Sequence, residues 1–496
     1  MTSKSMTTPS TLLRPRSIAW EPHAYQKKAV KFLLEHAAAA LFLDPGLGKT
    51  SITLAAIKLL KKKKLLSKVL LIAPLRVCHS VWPNEVTKWR DFNGLRVVVL
   101  HGPYKDDLLE EEADIYVINP EGLEWLLQVQ KTKSAAGKTR VSVDLRRWKK
   151  LGFDTLVIDE LSKFKHVNTN RFKSMKLVIH TFARRWGLTG SPASNGLLDL
   201  FGQCYMLDEG RSLGRYITHY RGTYFDQGYD GFSYTLKDGA DQLIYERLRP
   251  LALRMGDELL DMPKLVENNI FVTLPDNVVK IYEQLEDDLI AKLEEGVVTA
   301  KTAATASMKI RQVAAGGIYL DPDVTALVKL PTSKKTWVDL HEAKLDALEE
   351  LIEELQGSPL LVAYDFQHDL ARIQKRFGKD VPFIGGGVSV KKSTELEQAW
   401  NRGELPYLFG HPQSIAHGLN LQEVGQHVAW HTLTWDYELY DQFIRRVRRQ
   451  GSKARRVFVH HILAEGTIDE SILGALKMKR KGQNALFSAL KGLKKR

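Results

Sequence analysis

Two clusters in this 496-residue chain carry residue types at spacings suited to phosphoryl chemistry. In the first, Leu41-Phe-Leu-Asp-Pro-Gly-Leu-Gly-Lys49-Thr50, an apolar run breaks into a glycine turn and continues as the amphipathic stretch Ser51 to Leu60. A strand, a glycine turn and a helix opening on Lys-Thr make a phosphate cradle. The glycines let backbone N–H groups approach the oxygens, and the helix N-terminus adds partial positive charge. Pro45, Gly46, Leu47, Gly48, Lys49, Thr50 and Ser51 are therefore candidate nucleotide-binding residues, with Lys49 aimed at the β- and γ-phosphates and the Thr50 hydroxyl at Mg²⁺. The strict pattern has glycine five residues before Gly48, where this chain has Leu43, and a plain glycine turn is the competing reading. The second cluster is Leu156-Val-Ile-Asp159-Glu160, an apolar strand ending in two acids. Phosphoryl transfer to water needs one carboxylate to hold Mg²⁺ and another to orient or deprotonate the attacking water. Asp159 fits the first role and Glu160 the second, against the alternative of a helix cap or surface turn.

Positioning these groups takes alternating strands and helices. Val69-Leu-Leu-Ile-Ala-Pro74 reads as a buried parallel strand with Trp82, Val86 and Trp89 at helical spacing behind it; residues 95–100, 115–118 and 155–158 repeat the rhythm. The pattern predicts an open, mostly parallel sheet flanked by helices, with ligands at the carboxyl ends of its strands. Gln26, just ahead of the P-loop strand, could offer its amide to the N6 and N7 edge of adenine, a surface glutamine being the equal alternative. The stretch from Gln128 to Lys150 is polar and basic, either an excursion near a nucleic-acid path or a solvated loop. Residues 1–19 read as a disordered leader with a faint transit-peptide composition.

Lys and Arg outnumber Asp and Glu by 72 to 58, a net charge of +14 that favours a polyanionic partner, nucleic acid or an anionic membrane face. A hydrophobic content of 44% is ordinary for a globular protein. No apolar run approaches the ~18 residues of a membrane span, and no signal-peptide core follows the N-terminus, so a soluble, unsecreted protein is expected. Cys78 and Cys204 form neither a disulfide framework nor a zinc site and are expected to be buried thiols in a reducing compartment.

The order Tyr25-Gln26, Asp44-Pro-Gly-Leu-Gly-Lys-Thr50, Ile72-Ala-Pro74, Asn119-Pro-Glu-Gly122, Asp159-Glu-Leu-Ser162 and Leu188-Thr-Gly-Ser-Pro-Ala-Ser-Asn195 resembles the first lobe of superfamily 2 helicases, most of all the Swi/Snf-related translocases and their compact phage and bacterial members. The family's acidic box continues Asp-Glu-Ala-His, whereas here Leu161 and Ser162 follow, so a coupling role of the histidine does not carry over. Leu253-Arg254, Leu260-Asp-Met-Pro263, Tyr282 and Arg311-Gln312 match the bridge into the second lobe. Lys344 to Leu355 matches the helix before its first strand, Leu360 to Asp365. Ser414-Ile-Ala-His-Gly418-Leu-Asn420-Leu matches a box facing both nucleotide and DNA backbone, with His417 read as a turn residue. Gln442-Phe-Ile-Arg-Arg446-Val-Arg-Arg449-Gln-Gly451 matches the last motif, although Ser452 stands where the family has Gln. Its offsets of four and three put Gln442, Arg446 and Arg449 on one helix face, so a single rigid element presents two guanidinium groups to a γ-phosphate held by the other lobe. Arg445 and Arg448 read as a generic basic face.

The resemblance implies an α/β fold of two RecA-like parallel-sheet lobes with a helical insertion between them. Lobe 1 is expected over residues 20–205, the insertion over 206–250, a bridge and helical part of lobe 2 over 251–335, lobe 2 proper over 336–475 and a basic tail over 476–496. It implies ATP and Mg²⁺ in the cleft, Thr50 and Asp159 on the metal, Glu160, Gln442, Arg446 and Arg449 as catalytic residues, and movement along duplex DNA rather than RNA. The expected setting is the cytoplasm of a bacterium or a phage-infected host. A strand-separating helicase and an ATP-gated clamp without productive hydrolysis are the alternatives. Tyr220, Tyr224, Phe225, Tyr229, Phe232 and Tyr234 are expected to pack the insertion rather than stack on bases, and Gly228-Tyr229-Asp230-Gly231 is the candidate turn for a separation pin. The tail either clamps phosphates or aids solubility.

Overall fold

The computed structural model describes residues 18–492 apart from 134–138, 229–232, 257–261, 295–299, 321–336 and 417. Short apolar runs without polar alternation must be buried on both faces, which suits parallel strands covered by helices. The first such set is β1 (Ala38–Leu43), β2 (Val69–Ile72), β3 (Val97–Val99) and β4 (Ile115–Ile118). A hairpin of β5 (Gln130–Lys133) and β6 (Thr139–Ser142) interrupts it before β7 (Thr155–Asp159) and β8 (Arg184–Thr189). A second hairpin, β9 (Phe225–Gln227) and β10 (Tyr234–Leu236), precedes β11 (Ala252–Met255). The sheet order is β11-β1-β8-β7-β2-β4-β3, with parallel pairing throughout. Side chains alternate between two cores, Phe42, Leu70, Ile72 and Leu156 in one and Leu41, Leu43, Val69 and Val157 in the other.

The second lobe repeats the plan with β12 (Lys264–Val272), a small hairpin of β13 (Gly317–Tyr319) and β14 (Trp337–Asp339), then β15 (Leu360–Ala363), β16 (Phe383–Ile384), β17 (Tyr407–Gly410), β18 (His427–Trp430) and β19 (Arg456–Ala464). Its parallel sheet runs β12-β19-β18-β15-β17-β16. Cores lie on both faces here as well. The fold is thus two parallel-sheet α/β lobes.

The expected boundaries need three corrections. The insertion does not lie between the lobes. Its helices Ile217–Tyr224 and Ala240–Leu248 lead back into β11, which pairs with β1 at the edge of the first sheet. Tyr220, Tyr224 and Phe225 are buried in the first-lobe core beside Phe201 and Cys204, so packing is their role. Leu253 and Arg254 accordingly belong to the first lobe rather than to a bridge, and the second lobe opens with the strand β12, after which the expected helical part follows as helices Asp276–Glu294 and Ala300–Ala315. A four-residue edge strand with an arginine inside it is too short and too polar to announce itself. Thirdly, the basic tail is no separate appendage within the described residues, because it continues a single helix, Ile468–Gly492, that packs on β11 and helix Ala240–Leu248 of the first lobe as well as on β19. The leader up to residue 17, Leu260, Asp261, Tyr229, Asp230, Gly231, Phe232 and His417 lie outside the described residues.

Cys78 and Cys204 are both buried free thiols. Burial pushes the Cys78 thiol up to about 12, and its Sγ donates to the Ala73 carbonyl at 3.1 Å, so it is an inert packing group.

Candidate nucleotide site between the lobes

The phosphate cradle grows from β1. After Leu43 the chain turns through Gly46 (φ 92°) and Gly48 (φ 77°) and enters helix Lys49–Lys62. Both glycines sit in the left-handed region, and a Cβ on Gly48 would come within 2.5 Å of the Gln26 amide. Leu47 points the other way, fully buried in the core, so of the predicted binding residues it contributes only backbone and anchors the loop. Its carbonyl accepts a long 3.4 Å hydrogen bond from Gln26 Nε2, while Gln26 Oε1 accepts from the His23 amide at 2.9 Å. Gln26 is therefore tied to the loop as well as to the cavity wall. Lys49 Nζ donates to the Leu43 carbonyl at 2.8 Å, and burial lowers its pKa against the opposing charges of Glu160, Asp159 and Asp44.

β7 delivers the acidic pair beside this loop. Asp159 ends the strand, and its Oδ2 accepts from Trp82 Nε1 at 3.0 Å. Glu160 takes the left-handed conformation (φ 59°, ψ 63°), an uncommon posture for a non-glycine residue and one found at functional turns. Burial raises the pKa of both acids, helped for Glu160 by the charge of Asp159 and opposed for both by Lys49. Glu160 Oε2 is buried with no hydrogen-bond partner among the described residues.

The second lobe faces these groups with helix Tyr437–Ile444 and the turn after it. Gln442 donates to Glu438 at 3.3 Å, whereas its Oε1 is buried without a partner among the described residues. Arg446 donates to the carbonyls of Gln442 and Leu419, each at 3.2 Å, and burial, then the neighbouring Arg449, lowers its pKa to about 9. Arg449 donates to Asn420 Oδ1, and the Asn420 amide donates to Glu397 at 2.8 Å. Gln26, Pro45, Gly46, Gly48, Lys49, Thr50, Ser51, Asp159, Glu160, Gln442, Arg446 and Arg449 thus line one cavity of about 730 Å³. That volume suits a nucleotide-sized ligand. The positive phi angles of the cradle and the Lys49 ammonium fit phosphate oxygens, the hard oxygens of Thr50 and Asp159 fit Mg²⁺, and the unpartnered acceptors Glu160 Oε2 and Gln442 Oε1 fit a donor such as water.

Several contributors were not among the sequence expectations. Asp44 is nearly fully buried and held by Arg254 through two 2.9 Å hydrogen bonds, with Arg445 of the second lobe 3.8 Å away. Arg445 is therefore no generic basic residue: it links the lobes at the P-loop. On the other flank Arg76 and Glu397 pair across the cleft at 3.6 Å. Asp44 directly follows an apolar strand and Arg254 lies within a short one, places where a lone charge signals buried pairing without naming its partner. Trp82 gave no such signal beyond its helical spacing.

Comparison with known proteins finds related sequences. The profile of the SNF2-related domain matches residues 25–315, more than half of the chain. Protein p41 of Acyrthosiphon pisum secondary endosymbiont phage 1 is 31% identical over 488 residues, covering 95% of this chain and 98% of its own length. YwqA of Bacillus subtilis, named as an ATP-dependent helicase/translocase, is 25% identical over 488 residues, which are 92% of this chain and 48% of that protein. This chain thus spans nearly the whole phage relative and about half of the bacterial one. Among solved structures, the Sulfolobus solfataricus SWI2/SNF2 ATPase core in complex with dsDNA aligns over 97% of this chain and 96% of its own, at 22% identity and a TM-score of 0.42.

Proposed function

The chain belongs to the SNF2-related domain family, and from that premise we propose that it couples ATP hydrolysis to movement along duplex DNA. The observation that carries this reading is the convergence on one cavity of a phosphate cradle and acidic pair from one lobe with two arginines from the other. A site divided in this way is complete only when the lobes approach, so each cycle of binding and release moves one lobe against the other.

Lys49 and the loop amides bind the phosphates, and Glu160 orients the attacking water, its burial-raised pKa making it a better proton acceptor than an exposed glutamate. Arg446 and Arg449 stabilise charge on the phosphoryl oxygens as the cleft closes. A magnesium ion held by the Thr50 hydroxyl and the Asp159 carboxylate would add positive charge at the same oxygens. Trp82 fixes the Asp159 side chain, and Arg254 fixes Asp44 at the start of the cradle. The net charge of +14 suits a phosphate backbone as track.

An ATPase assay with duplex DNA, single-stranded DNA and RNA tests this reading. Duplex DNA should stimulate most, and the protein should displace a triplex-forming strand while leaving a forked duplex paired. Efficient ATP-dependent unwinding of a plain fork would favour a strand-separating enzyme instead. A rate indifferent to every nucleic acid would leave only a nucleotide-binding clamp.

A further inference from the structure

Glu438 stands one helical turn before Gln442 on the face that presents Gln442 and Arg446 to the cleft. It is a second-lobe carboxylate, nearly fully buried, and its donors come mostly from the first lobe. Ser162 Oγ donates to Oε1 at 2.6 Å, the shortest of its bonds, and Ser194 Oγ donates to Oε2 at 3.4 Å. Lys165 Nζ lies 3.7 Å from Oε2 and is shared with Asp199 at 3.6 Å. Gln442 completes the set from the same helix at 3.3 Å. One carboxylate thereby joins the segment after the acidic pair, the Thr189-Gly-Ser-Pro-Ala-Ser-Asn195 loop and the helix that leads into the arginine turn.

A buried carboxylate held mainly by neutral donors is expensive, and burial together with the like charge of Glu160 raises the Glu438 carboxyl to about 7. A packing role alone would be filled at lower cost by leucine or glutamine. Ser162, three residues after Asp159, reaches the second lobe directly through its hydroxyl and Glu438.

We propose that Glu438 is a positioning residue: by holding Ser162 and Ser194 against helix Tyr437–Ile444 it aligns Glu160 with Arg446, in the turn that follows that helix, when the cleft is closed. The inference rests on the reading of the chain as a DNA-stimulated ATPase. Ser162 is two residues from Glu160, so a shift at the serine displaces the water-orienting carboxylate, and Gln442 carries the same displacement toward Arg446. Misplacement by about 1 Å can cost about two orders of magnitude in turnover.

The test uses the full chain and compares E438A, E438Q, S162A and the S162A/E438A double variant, measuring duplex-DNA-stimulated kcat, KM for ATP and binding of a fluorescent ATP analogue. E438A should lower kcat at least about tenfold while nucleotide affinity moves less than about threefold. E438Q keeps an acceptor oxygen for Ser162 and should recover most of the loss. S162A should lose severalfold, and the double variant should be no worse than E438A alone, since both changes break one link. E438A within twofold of the parent, a KM rise matching the kcat loss, or additive losses would each overturn the proposal. Should E438A fail to fold, S162A decides, because parent-like turnover there overturns it. A parent chain that duplex DNA does not stimulate refutes the translocase reading instead.

Discussion

Glu160 in the cleft and Asp369 in the second lobe are both enclosed carboxylates, and the fold treats them in opposite ways. Asp369 sits at the start of helix Gln367–Phe377, where its Oδ2 accepts from the amides of Asp365 (3.3 Å) and Phe366 (3.1 Å) and from the Thr432 hydroxyl (2.8 Å). His368 Nδ1 lies 3.1 Å from its other oxygen. Burial pushes the carboxyl up, but the hydrogen bond and charge of His368, the charge of His431 and the Phe366 amide outweigh it, and the carboxyl is held well below the usual range. Glu160 has no such cap, and burial with Asp159 beside it raises its pKa. The protein supplies three donors to Asp369 Oδ2 and sets the His368 ring beside Oδ1, whereas Glu160 lines the cavity with Oε2 unpartnered among the described residues, the arrangement expected of an acid kept for chemistry.

The sharpest way to break this comparison is E160Q, which should lower ATP turnover about 10²–10⁴-fold while leaving nucleotide binding and denaturation midpoint near those of the parent. An unimpaired rate removes Glu160 from its role. D369A should do the reverse, costing about 1–3 kcal/mol of stability in chemical denaturation while the folded fraction keeps its ATP affinity; an unchanged midpoint would show that the Asp369 cap is dispensable. Between the lobes, R446K or R449K should reduce DNA-stimulated kcat by roughly tenfold or more with little change in nucleotide affinity, because the planar fork is lost while the charge stays. Matching losses in both quantities would mark ground-state binders.

The smallest effect is the pH dependence of stability. Asp369 is depressed in the fold, so its contribution is present above the unfolded value of about 4 and lost as pH falls below it. Glu438 is raised to about 7, so ionising it opposes folding, and its share of stability declines between about pH 4.3 and 7. E438Q should flatten the second slope and leave the first, as denaturant midpoints between pH 3 and 8 would record. An unchanged slope in E438Q would mean that Glu438 ionises normally.

What could be read from the chain follows from how local each signal is. The cradle and the acidic pair are contiguous in sequence, because backbone turns build them, and continuous apolar runs pointed to the first parallel sheet; the second was implied only by the family resemblance. The offsets of Gln442, Arg446 and Arg449 predicted one helix face, but the helix ends at Ile444 and only Gln442 lies on it; the arginines reach the cleft from the turn that follows. Glu438 shares that spacing with Gln442, but no rule of composition says that its partners would be Ser162 and Ser194, 276 and 244 residues away. Asp44 meeting Arg254 and Arg445 is likewise a product of topology: β11 returns to β1 only after the helices and hairpin of the insertion. The edge strand itself was missed because four residues with one charge do not make a periodic pattern.

Helix Ile468–Gly492 is about 37 Å of stiff rod, rooted behind β19 and lying along the first lobe. Lys479 on it donates to Asn195 of one lobe at 3.1 Å and to the Trp435 carbonyl of the other at 2.8 Å. Two bodies bolted to a common strut cannot slide freely past each other, so their easiest relative motion is a swing about an axis near the strut. The cleft then works as jaws on an axle. On the proposed translocation, displacement along a bound track would grow with distance from that axle.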